Sequence, residues 1–201
     1  MIRLELLEIA KPISLFNDEM ILAIQDGEKT VIRRVIKGVP KCAEKVFKKA
    51  IETKGCFNIT HKNGKKVIIR PPYKVGDFLY VQETWSEDKH NYLYRADFPY
   101  EDLEKLKNIM RWGSPKCMPR KAARKFLRVT DVRVERLQDI TLEQICREGI
   151  ICEEPYILNG IEKRYAFQSV WNSTVKKSDL DKYGWDANPW VWVIEFEKVE
   201  V

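Results

Sequence analysis

The sequence predicts an α+β fold, with a small, mixed but mostly antiparallel and partly closed β-barrel flanked by short helices. Three observations lead there. Short stretches of alternating apolar and polar residues outnumber the helical ones. Strands and helices do not alternate in the regular rhythm that a parallel sheet requires. The apolar share of 44% can fill a core, and 33% charged residues cover its outside. At 201 residues the chain suits a single domain, 1–201, interrupted by a lysine-rich insertion at about 38–66.

The elements follow in order. "ISLFNDEMILAIQDGEKT" reads as a short strand and then a helix capped by Asn17 or Asp18. Met20, Ile21 and Ile24 form its apolar stripe, and Gly27 ends it. "TVIRRVI" is a strand. The insertion reads as a short helix followed by a hairpin turning at Asn63-Gly64. "VGDFLYVQETW" is an alternating strand, and "NYLYRAD" is its expected partner. Residues 101–112 suit a short helix, and "GSPKCMPRKAAR" is a loop with a basic tip. "KFLRVTDVRVERL" is the longest alternating run, its mixed faces pointing to a bulge or a sheet edge. "DITLEQICREGI" opens with a capping box, Thr141 with Gln144, and closes at Gly149. "YAFQSVWNSTV" is a further helix. "NPWVWVIEFEKVE" is the last strand, with Trp190 and Trp192 expected in the core.

Charge is unevenly spread. Residues 1–80 carry 16 Lys+Arg against 9 Asp+Glu, and residues 105–136 carry 11 against 2. Between and after them lie acidic stretches. Two basic blocks folded onto one surface would suit a nucleic-acid or phosphate partner. Five scattered cysteines without a C-x-x-C pair, and His61 and His90 standing apart, suggest reduced thiols and no metal site or cofactor. No apolar run reaches membrane length and "IRLELLEIA" is too charged for a signal peptide, so a cytoplasmic protein without a membrane partner is expected. Composition leaves the oligomeric state open.

Five strings in series, "GEKTVIRR", "VGDFLYVQETW", "MPRKAAR", "RVTDVRVERLQDI" and "WDANPWVWVIEF", resemble the ASCH domain family, in the long form common in phages and prophages. The resemblance runs from about Lys11 to Phe196. It implies a PUA-like β-barrel and a cleft that binds RNA or a nucleotide or nucleoside ligand. Some small members are amidohydrolases acting on N4-acetylcytidine, and some relatives have been proposed to cleave RNA. Their motif G-x-K-T-x-T places the lysine on Lys29 and the first threonine on Thr30, but the catalytic second threonine falls on Ile32, which has no hydroxyl. Their glutamate falls near Glu148. A structural or assembly role in phage growth is a further alternative implied by the family's genomic company.

Lys29, Thr30 and Glu148 are therefore the candidate catalytic residues. The candidate ligand-binding residues are Arg33, Arg34, Glu83, Trp85, Lys116, Arg120 and Arg124. Arginine forks onto phosphate, a carboxylate can read an amino edge of a base, and a tryptophan can stack on one. Arg33 and Arg34 take opposite faces of one strand, so a single cleft can receive only one of them. Arg34 shares its face with Ile32 and is the better cleft candidate. Each residue also has an ordinary structural role open to it: a turn lysine, an ion pair, a core tryptophan or a solvated basic loop.

Overall fold

The computed structural model describes residues 3–14, 16–39, 45–47, 57–60, 66–89, 91–150 and 160–201. The chain divides into two compact units. The first comprises Met1–Lys29, Gly76–Val129 and Phe196–Val201; the second comprises Thr30–Val75 and Thr130–Glu195.

The elements in chain order are α1 (Arg3–Ile9), β1 (Lys11–Ile13), α2 (Asp18–Gln25), β2 (Val31–Val35), β3 (Lys45–Phe47), β4 (Phe57–Thr60), β5 (Lys66–Ile69), β6 (Phe78–Val81), β7 (Trp85–Asp88) and β8 (Asn91–Tyr94). They continue with α3 (Tyr100–Leu106), β9 (Phe126–Arg136), α4 (Leu142–Arg147), α5 (Gly160–Thr174), α6 (Leu180–Tyr183) and β10 (Trp190–Val199). The fold is α+β. Five strands hydrogen-bond in the order β1-β6-β9-β10-β2; β3-β4-β5 and β7-β8 form smaller sheets. The five-stranded sheet is mixed, because β1 runs parallel to β6 whereas β6–β9 and β10–β2 are antiparallel. Among the described residues it is an open row of strands and not a closed barrel.

Within the first unit, α2 begins where expected: the Asn17 side chain accepts a hydrogen bond from the Met20 N–H at 2.8 Å. Gly27, at φ +80°, ends the helix in a conformation that a side chain would disfavour. The sequence reading places no helix before β1, yet α1 forms there and buries Leu6. Leu6 packs with Tyr80, Tyr94, Met118, Ala122 and Phe126, and Trp85 and Tyr92 close the cluster from outside. "NYLYRAD" is a strand, but its partner is β7 and not β6. The alternating run from Phe78 breaks after Val81 and resumes at Trp85, so it makes two strands, and the second folds back on β8.

The second unit has its own core of Val31, Leu137, Ile140, Ile145, Phe167, Trp171, Val191 and Val193. α5 contributes one face to it: Phe167 stacks on Trp171 four residues later, with centroids 6.3 Å apart. The Trp171 Nε1–H donates to the Tyr183 carbonyl at 2.9 Å, and the Asn172 side chain accepts from the Trp185 N–H at 2.9 Å. These bonds tie the segment after α5 to the helix. In the insertion Lys45–Phe47 forms strand β3, whose Val46 pairs in register with Ile59, and the rest of the stretch read as a short helix lies outside the described residues. At these three residues strand pairing prevails over local helix preference. β4 and β5 make the expected hairpin, and Asn63-Gly64 lies outside the described residues.

β9 is expected to carry a bulge or to lie at a sheet edge, and of the two the edge does not hold. It is not an edge strand; it lies between β6 and β10. Leu127 and Val129 are buried and then Val132, so the inward alternation slips by one residue at Thr130–Asp131. That slip coincides with the passage of the strand from one unit to the other.

The capping box forms in full. Thr141 Oγ1 accepts from the Gln144 N–H at 3.2 Å, and Gln144 Oε1 accepts from the Thr141 N–H at 3.0 Å. Thr141→Ala is expected to lower the unfolding free energy by about 1 kcal/mol, measured by urea denaturation. A change under a few tenths would show that α4 is held by packing alone.

Candidate functional site

The predicted site residues fall into both units, and each unit organises its own charges. In the first, Glu83 follows β6 and is 1% exposed. Its carboxylate accepts from Arg124 Nε at 3.0 Å and Arg124 Nη2 at 2.8 Å, a two-point fork, and from Lys125 Nζ at 3.4 Å. The same guanidinium forks onto Asp97 through Nη1 at 2.6 Å and Nη2 at 2.7 Å, and lies 3.7 Å over the Tyr94 ring. Tyr94 in turn donates its hydroxyl to the Ala122 carbonyl.

Two carboxylates thus meet two cations, and the cluster is neutral. Burial works against the charged forms of both cations. For Arg124 the Glu83 and Asp97 hydrogen bonds more than offset it, so its pKa is raised; Lys125 is left below its ordinary value. Burial, only partly opposed by Arg124, also pushes the Tyr94 hydroxyl up.

The other basic-loop residues divide. Arg120 donates through Nη1 to the Leu7 and Glu8 carbonyls at 2.7 and 2.9 Å, closing the C-terminal end of α1, and lies 5.5 Å from the Tyr80 ring centroid. Lys121 sits over Tyr92 at 5.6 Å and is exposed. Lys116 is exposed as well. Trp85 is clamped: its backbone pairs with Gly113 in both directions, and its Nε1–H donates to the Ser114 carbonyl at 3.3 Å. A Cβ on Gly113 would lie 3.0 Å from that indole nitrogen, so glycine is what lets the loop approach the ring. Lys29 closes this unit's first segment. It lies two residues after Gly27, its N–H donates to the Ala23 carbonyl at 2.9 Å, and the residue is 2% exposed.

In the second unit a chain of arginines and carboxylates runs across β2, β9, β10 and α4. Arg33, its side chain 1% exposed, donates to Glu148 Oε1 at 2.9 Å, Gln144 Oε1 at 2.9 Å and Glu135 Oε2 at 3.3 Å. Arg133 reaches Glu135 Oε1 at 2.6 Å, Asp131 Oδ2 at 2.7 Å and Glu195 Oε1 at 2.6 Å. Arg147 completes the run, donating to Glu195 Oε2 at 2.6 Å and to Thr30 Oγ1 at 3.0 Å. The Thr30 N–H also donates to the Arg147 carbonyl at 2.9 Å. Arg34, on the other face of β2, lies 5.6 Å from the Tyr73 ring centroid.

The candidates therefore do not behave alike. Glu83 and Arg124 come together as an ion pair, as do Arg33 and Glu148. Ile32 is 6% exposed and belongs to the apolar interior. Thr30 accepts a hydrogen bond from a guanidinium, and no basic side chain takes its proton among the described residues. That arrangement withdraws electron density from the oxygen, the opposite of what a nucleophile needs.

The partners that sequence reasoning missed are Asp97, Lys125, Asp131, Arg133, Glu135, Arg147 and Glu195. A signal existed for part of this set. Asp131, Arg133 and Glu135 recur at every second position of one long strand, and charges that share a strand face invite bridging.

Two outcomes follow. Arg124→Met leaves buried Glu83 with Lys125 alone and is expected to cost about 3 kcal/mol in urea unfolding. The double variant with Glu83→Gln should recover part of the loss, and equal losses in single and double variants would show that the pair is not coupled. In the second unit, burial would raise the Glu195 carboxyl, but hydrogen bonds from Arg147 and Arg133 hold it below its ordinary value of 4.5. Its ion pairs then contribute fully above that pH and are lost as pH falls below it. Glu195→Gln should flatten the decline in stability below about pH 4.5; an unchanged acid limb counts against this assignment. Comparison with protein-family models, with curated proteins and with solved structures finds no match.

Proposed function

We propose that the protein is an RNA- or nucleotide-binding member of the ASCH group, in its long phage or prophage form, acting in the cytoplasm, its sheet belonging to a PUA-like barrel. The observation that carries this reading is the burial of Lys29. A lysine in the turn between a helix and a strand ordinarily lies in water, and lysine is almost never fully buried unless it is paired. Here it is 2% exposed, at the position of the lysine in the motif G-x-K-T-x-T. The stretch 111–125, which contains no acidic residue, supports the same reading with exposed Lys116 and Lys121.

The hydrolase reading has less behind it. Ile32 lacks the hydroxyl, Thr30 is held by Arg147, and Glu148 is committed to Arg33. A general base must be available to the proton it takes, and a carboxylate bound by a buried guanidinium is not.

Internal pairing also limits the expected affinity. Arg33, Arg120 and Arg124 bind within the fold, so few of the candidate cations remain for phosphates. Fluorescence anisotropy with a single-stranded RNA should give a plot of log affinity against log salt with a slope of about −1.4, two lysine–phosphate contacts at about −0.7 each. Lys116→Ala should reduce that slope by about 0.7, and Lys29→Met should weaken binding without changing the circular dichroism. No binding at low salt, or binding insensitive to salt, overturns the proposal. Release of acetate from N4-acetylcytidine, lost in Lys29→Met, would establish the hydrolase in its place.

A further inference from the structure

The second unit contains a recess of about 20 Å³ whose lining includes Ile36, Arg136, Lys182, Tyr183, Pro189 and Trp190. We propose that it is an oxyanion subsite, in which the Trp190 indole N–H and the Arg136 guanidinium together bind one oxygen of a phosphate or carboxylate group. The site shares no residue with the set assigned to RNA and does not rest on that reading.

Trp190 is half-buried and not the core residue its place on the strand suggests. Its Nε1 is buried and donates to no acceptor among the described residues. Leaving such a donor unpaired costs free energy comparable to a lost hydrogen bond. The recess has room for a single oxygen. Its lining holds two cations, a phenol and an indole N–H, and no carboxylate. An anionic acceptor that entered from outside would meet positive charge on arrival.

The donors are held in place before any ligand binds. The Arg136 guanidinium lies 4.2 Å from the Trp190 ring centroid, and its Nη1 donates to the Asn188 carbonyl at 2.9 Å. Asn188 has φ +43°, a left-handed conformation that costs a non-glycine residue about 1 kcal/mol and is found more often at ligand sites. Its side-chain oxygen accepts from the Gln138 N–H at 2.9 Å, which fixes the turn. Leu137 N–H donates to the Pro189 carbonyl at 3.0 Å, and Ile36 N–H to the Trp190 carbonyl at 2.9 Å. Burial pushes the Arg136 guanidinium below its ordinary value, with Asp139 partly opposing.

The test uses the indole signals of ¹⁵N-labelled protein, with the Trp190 peak assigned through Trp190→Phe. Inorganic phosphate and acetate are titrated separately against chloride at matched ionic strength. The expected result is a saturable shift of the Trp190 peak with phosphate, with acetate or with both, and none with chloride. Phosphate alone would identify a phosphate monoester as the ligand class, and acetate alone a carboxylate. Arg136→Gln should weaken binding about tenfold, in line with the loss of a charge-assisted hydrogen bond. Should that variant fold poorly, exposed Lys182→Ala should weaken binding severalfold. The proposal is overturned if the Trp190 peak does not move saturably with either anion, or if it moves equally with chloride. It is also overturned if binding survives unchanged in the folded variants.

Discussion

The second unit depends on one interaction above the others: the buried guanidinium of Arg33 on the Glu148 carboxylate. A charge placed in the interior must be met by an opposite charge and by enough hydrogen bonds to replace its water. Arg33 meets that demand with Glu148, Gln144 and Glu135, and so fastens the end of α4 to β2 and β9. Gln144 serves twice, because the oxygen that receives Arg33 also receives the N–H of Thr141 in the capping box. Helix initiation and strand pairing are thereby made to agree. From Glu135 the network passes through Arg133 and Glu195 to Arg147 and Thr30, so four elements share one set of hydrogen bonds. A network satisfied at nearly every member specifies a single arrangement of its strands, because slipping any of them leaves charges buried and unpaired.

The first unit solves a similar problem on a smaller scale. Glu83 is buried among apolar and aromatic side chains, and Arg124 is folded over it with Tyr94 beneath. Asp97 takes the outer edge of the same guanidinium. Arg120, meanwhile, answers the free carbonyls at the end of α1. The consequence for function is subtractive. A loop that looks strongly basic in the sequence spends much of its positive charge on internal carbonyls and carboxylates. Of the basic loop, Lys116 and Lys121 remain exposed, Lys121 over the Tyr92 ring.

The elements that could be read from the sequence were those whose signals are local. The Asn17 cap, the Gly27 terminator, the Thr141–Gln144 box and the strands at 31–35 and 190–199 all depend on residues within a few positions of one another. Elements that depended on a distant partner were misread. β3 is a strand because β4 lies beside it, and β8 pairs with β7 because the run from Phe78 is interrupted at Gln82–Thr84. The candidate site divided in the same way. Glu83 and Arg33 stood out as charges among apolar neighbours and Glu148 through the family resemblance, and all three proved buried. Asp97 and Lys125 did not stand out, since each looks like any solvated charge until the chain brings Arg124 and Glu83 together.

By itself, then, the sequence determined the α+β class, the helix caps, the long strands and the uneven distribution of charge, because propensity, capping and side-chain alternation act over three or four residues. Only the tertiary structure decided which cations are neutralised, which strand pairs with which, and that Ile32 is an interior residue. The physical reason is that an ion pair or a strand register is a relation between segments as far apart as Arg33 and Glu148. Its energy comes from the removal of water around both partners at once, and that removal exists only when the chain has folded.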